Sequence, residues 1–238
     1  MSIVVDIAIV ATILMFAIVG FKNGLLKQAT SVIGIILVLI LSFTFKEQIG
    51  NILCKVMPFF NFYGNIKGLV VLNILIYQLV GFVIIYSILF SIYTLILKLS
   101  GVLQKIVNMT IVLLLPSKIG GLILGFVEGY ILTFVVLMVL TIPLKNFPIF
   151  KESQVLNMMM TKTPIVSKYT NNLLSIIDET YILVDGVVDE KMAINEANLK
   201  MLDGMLKHKI VSKKTVEQLI VLDKLNGVEK IDTVINNY

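Results

Sequence analysis

Acidic side chains are almost missing from the first 143 residues. Asp6, Glu47 and Glu128 are the three, scattered among four long apolar runs, whereas the last 95 residues carry twelve acids and twelve lysines. A charged group at the centre of a bilayer costs several kcal/mol, so membrane segments shed them. The split therefore separates a lipid-embedded four-helix domain, residues 1–144, from a polar helical tail, residues 145–238. The fold class it predicts is all-α: an integral membrane protein with four transmembrane helices, two interfacial amphipathic helices and a C-terminal helical tail.

Composition agrees with that class. The chain is 58% hydrophobic and 15% charged, against about 45–50% and about 25% in ordinary soluble domains. Its net charge of +5 belongs to the membrane half, where eight lysines face three acids, while the tail is neutral. Lysines so placed fit anionic headgroups, and no dense basic run interleaved with aromatics argues for nucleic acid. All twenty basic residues are lysine, which removes bidentate clamps on carboxylate or phosphate. The single cysteine, Cys54, excludes an internal disulfide and any multi-cysteine metal site.

The apolar runs cover residues 3–20, 29–45, 69–97 and 119–144. The first lacks a basic n-region and a small-residue cleavage site, so it is read as a retained span rather than a signal peptide. Only residues 21–28 separate the first two, which forces an antiparallel hairpin. The third run would reach about 43 Å as a helix, more than a bilayer core, and Gly81 is its natural weak point. Two segments, residues 49–57 and 99–107, place apolar residues at i, i+3, i+4, i+7 and i+8. That stripe predicts short amphipathic helices lying in the interface. An aromatic cluster at Phe59, Phe60, Phe62 and Tyr63 suits headgroup depth. Residues 110–115 are too short to cross.

In the tail, Ser212 is a natural N-cap for a helix over residues 213–225, stopped by Gly227. Sidedness stays open, because either orientation places five lysines in the inner loops.

Within the fourth run, Ser117, Gly121, Gly125 and Gly129 repeat every four residues. Small residues at that spacing let another helix approach backbone to backbone. The seam suits packing within the chain or across a homo-oligomer; a glycine-lined path is the other reading. Glu128 beside it is an intramembrane carboxylate, able to bind a proton or cation, or to bond to Asn73 or Gln78 of the third run. Asp6, near a membrane boundary, suits a solvated or capping role. Asn73 and Gln78, with Tyr77, Tyr86, Ser87, Ser91, Tyr93 and Thr94, make the third run the most polar, suited to lining a path or to interhelical bonding. His208, between two lysines, reads as a solvated face, and Met158–Met160 as packing. No catalytic motif is present, so neither an enzyme nor a cofactor or metal is expected.

The membrane half resembles the colicin V production protein family of bacterial inner-membrane proteins. The resemblance rests on Asp6 at the start of the first span, the hairpin turn with Gly20, Phe21, Lys22, Gly24 and Leu25, Gly34 in the second span, and residues 120–125 of the fourth. Asn23 stands where a basic residue is common, and Glu128 where a basic or neutral one is more frequent. The resemblance implies a link to toxin biosynthesis and secretion and a place in the bacterial cytoplasmic membrane, with no established reaction or cofactor. The expected role is an accessory or scaffold for export or envelope maintenance, its tail recruiting a protein partner. A small transporter or channel subunit is the alternative.

Overall fold

The computed structural model describes residues 2–99, 114–144, 152–162 and 164–238. Every regular element among them is helical. The long helices are α1 (Ser2–Asn23), α2 (Leu25–Val56), α3 (Leu72–Leu99) and α4 (Leu114–Leu144). The tail adds α5 (Gln154–Lys162), α6 (Pro164–Val188), α7 (Ile194–Lys207), α8 (Lys213–Val221) and α9 (Asp232–Ile235), with one 3₁₀ turn at Gly64–Ile66. Four stretches are long and apolar enough to cross a bilayer: Ile3–Asn23, Leu25–Val56, Leu72–Ile96 and Pro116–Leu140. The protein is an all-α integral membrane protein.

The chain forms two compact units, Met1–Leu41 with Tyr86–Ser167, and Ser42–Ile85 with Lys168–Tyr238. The boundary expected at 144/145 marks a change of composition; each unit draws on segments from both sides of it. Chain order and polarity do not decide which helices pack together.

In the first unit α1 lies along α4. Ile9, Ile13, Ala17 and Gly20 are buried at near-four-residue spacing, while Ile7, Leu14, Met15 and Ile18 stay exposed, which is the surface a bilayer covers. Only Gly24 separates α1 from α2, and its φ of +78° is a left-handed conformation that costs glycine little. The expected eight-residue connector is therefore a single turn. At the other end of α1, the Asp6 carboxylate accepts hydrogen bonds from Ser153 Oγ and from the backbone N–H of Val155, 3.1 Å away. Ser153 in turn caps α5 through the N–H of Leu156 at 3.1 Å. Asp6 thus ties the start of the first span to the start of the tail.

In the second unit the last turns of α2 meet the first turns of α3. A Cβ on Gly81 would come within 2.6 Å of the Gly50 backbone nitrogen, so the two helices cross with backbones nearly touching. Phe43 and Phe82 pack beside the crossing, ring centroids 4.8 Å apart and planes tilted by 39°. Gly81, expected as a bend, is a crossing point in an uninterrupted helix. Of residues 49–57, those through Val56 are helical, but they continue α2 instead of forming a separate interfacial helix. Lys46, Glu47 and Gln48 are adequate helix formers, and Gly50 is tolerated because α3 presses on it. The second amphipathic segment falls, beyond Leu99, outside the described residues.

The segment between α2 and α3 is held from within this unit. Asn73 Oδ1 accepts from Phe60 N at 2.7 Å, and its amide donates to the Phe60 and Val70 carbonyls. From α7, Asn198 accepts from Val71 N at 3.1 Å and donates to Gly68 O at 2.8 Å. Lys224 Nζ donates to Met57 O at 2.6 Å and lies over the Phe59 ring. Ile176, Ile177, Met201, Leu202, Met205, Val216 and Leu219 make the tail's share of the core. Ser212 caps α8, its hydroxyl accepting from Thr215 N. The helix stops at Val221 rather than residue 225, because Asp223 turns left-handed (φ 58°) and Lys224 N bonds back to Leu219 O.

Candidate functional site

The glycine seam of α4 faces α1 of the same chain. A Cβ on Gly121 would run into the Gly20 carbonyl, and one on Gly125 would lie 2.9 Å from Gly20 Cα. One on Gly129 would meet Phe16 Cβ at 2.7 Å and Ile13 Cα at 3.2 Å. Two glycine-bearing faces therefore interlock, Gly20 and Gly24 on one side and Gly121, Gly125 and Gly129 on the other. Ser117 completes the row by accepting from Leu25 N at 3.2 Å, satisfying an N–H that the start of α2 would leave unpaired. Lys22, the basic residue of the hairpin turn, is exposed.

One position along from Gly129, Glu128 turns away from α1 and meets α2. It is 8% exposed. Its Oε1 accepts from Ser31 Oγ at 2.8 Å and its Oε2 from the Gln28 side-chain amide. Gln28 and Ser31 are three residues apart, so one helix face carries both. Gln28 Oε1 accepts from Asn23 Nδ2 at 3.1 Å, which extends the chain to the hairpin. From α3, Tyr93 lays its ring against Gly34, where a Cβ would clash with it, and its hydroxyl donates to the Thr30 and Ser31 carbonyls at 3.3 and 3.4 Å. Both carboxylate oxygens are thus engaged by neutral donors. Among the described residues no lysine pairs with Glu128.

The other polar candidates lie elsewhere. Asn73 fastens the α2–α3 segment, and Gln78 donates to Asn51 Oδ1 at 2.8 Å. Neither is Glu128's partner, which corrects one of the alternatives open from the sequence, a bond to Asn73 or Gln78 of the third span. Ser91 and Thr94 bond to carbonyls of their own helix. His208 approaches Glu179 at 3.2 Å in the tail. Among the described residues no three His, Cys, Asp or Glu side chains gather as a metal site.

The partners actually used, Gln28 and Ser31, stand in the sequence within the hairpin connector and at the head of an otherwise apolar run. Their i, i+3 spacing at the mouth of the second span was the available signal. No curated protein and no solved structure matches the chain. Residues 5–164 match the family model described as colicin V production protein.

Proposed function

The chain belongs to the colicin V production protein family, and from that premise we propose that it is a non-enzymatic scaffold of the bacterial cytoplasmic membrane, serving toxin biosynthesis and secretion or envelope maintenance. The observation that carries this reading is the second unit. The tail is built into a helical body with the ends of α2 and α3, and that body displays apolar side chains that it does not bury. Ile182 is 70% and Val221 86% exposed, positions where a protein partner finds contact area and where substitution leaves the core untouched. The interlocked glycines support the same view, since they fix α1 to α4 closely and leave no gap along that face.

A transporter or channel subunit is the second reading, favoured by one feature, the buried carboxylate of Glu128. The two separate by substitution. Paired Ile182→Glu and Val221→Glu changes should abolish the export or envelope phenotype while the protein stays folded and membrane-inserted, and Glu128→Gln should leave it intact. Loss of the phenotype in Glu128→Gln, with the surface pair silent, would replace the scaffold by the transporter.

A further inference from the structure

We propose that Glu128 is a reversible proton-binding site, loaded from the side of the bilayer at which the α1–α2 hairpin emerges. Among the described residues this carboxylate has no counter-ion, and its two partners, Gln28 and Ser31, are neutral. A buried unpaired charge is costly, and protonation is the cheapest way to remove it. Among the described residues, the groups facing it from each packed helix include no competing ion. From α2 come Gln28 and Ser31; from α3 comes Tyr93, whose hydroxyl donates to the Thr30 and Ser31 carbonyls. The glycine face beside it meets Ile13 and Phe16 of α1. Of the lysines at the hairpin end, Lys22 is exposed, Lys27 is half-buried, and Lys118 sits over the Phe21 ring.

The chain of partners can serve both protonation states. With Glu128 ionised, Asn23 donates to Gln28 and Gln28 donates to Glu128. A primary amide carries a donor on one side and an acceptor on the other. Flipping the Gln28 and Asn23 amides reverses the direction of the chain, so that Glu128–OH donates to Gln28 Oε1 and Gln28 Nε2 donates to Asn23 Oδ1. The carboxylate gains one proton taken from water at the hairpin, and no other bond forms or breaks. Asn23 closes the last turn of α1, next to exposed Lys22, which makes the hairpin the entry.

Infrared difference spectroscopy on the full chain in lipid nanodiscs, titrated with acid and base, tests this without an assay of function, so the scaffold reading can fail separately. The expected result is a carbonyl-stretch band of a protonated carboxylic acid that titrates, shifts with isotope-labelled glutamate, disappears in Glu128→Gln and persists in Asp6→Asn. Gln28→Leu should raise its midpoint by up to about one pH unit, because of the two bonds lost the one to the ionised form is the stronger. Absence of any glutamate-labelled band that titrates while the protein stays folded would overturn the proposal. So would a midpoint that moves when sodium replaces potassium, which would make the ligand a metal cation.

Discussion

A methyl group added at Gly121 would meet the Gly20 carbonyl and sit 2.8 Å from the Gly24 carbonyl carbon. Backbone cannot yield as a flexible side chain does, so Gly121→Ala should cost about 1–3 kcal/mol, as overpacking generally does. It should lower the thermal unfolding midpoint of the purified protein. Gly186, within α6, is the control. A Cβ there finds Met192 at 3.6 Å, an ordinary contact, so Gly186→Ala should raise stability by about 0.5–1 kcal/mol through helix propensity alone. Glycines that read alike in the sequence thus differ in sign, because the sign depends on what stands opposite. Asn198 makes the same point for a polar residue. Its amide fastens two backbone groups of the α2–α3 segment, and Asn198→Ala should cost about 2 kcal/mol by leaving a buried N–H unpaired, read by denaturant titration.

At the scale of elements, Ser212 heads α8 as its sequence suggested, and Ser212→Ala should cost about 1 kcal/mol. Faster hydrogen exchange confined to residues 213–221 would report it. Asp6→Ala should free the head of α5 from α1 and speed proteolysis near residue 153, with α1 itself unchanged. The four spans were legible because a bilayer forbids charge, and that veto leaves a blunt trace in composition. The α4 glycines were legible as a close-approach face, though the four-residue spacing does not name the helix that fills it. Helix ends were harder to read. Nothing local distinguishes the end of a span from the start of a helical extension, so residues 49–57 read as a separate piece although α2 runs through them to Val56. Asn73 and Gln78 carried a real polar signal whose meaning, fastening a loop and bonding to Asn51, depended on neighbours that no periodicity reveals.

For the whole molecule, four membrane-length apolar helices predict that the α2–α3 segment and the tail emerge on one side of the bilayer and the α1–α2 hairpin on the other. A membrane-impermeant thiol reagent should therefore modify Tyr63→Cys and Val221→Cys from one face, and Lys22→Cys from the opposite face. Tyr63 is 85% exposed, and native Cys54 is fully buried and should not compete. Labelling of all three from one side would remove a span. The hydrogen bond between Val71 and Asn198 joins residues 127 apart in sequence, and its consequence belongs to the order of synthesis. When Leu69, Val71 and Ile74 leave the ribosome, the helices that will cover them have not been made. At about 5–20 residues per second those side chains wait roughly 6–25 seconds, while the third and fourth spans are inserted. The nascent chain is most open to aggregation and proteolysis in that interval, and a chaperone stationed on that side of the membrane would find its substrate there.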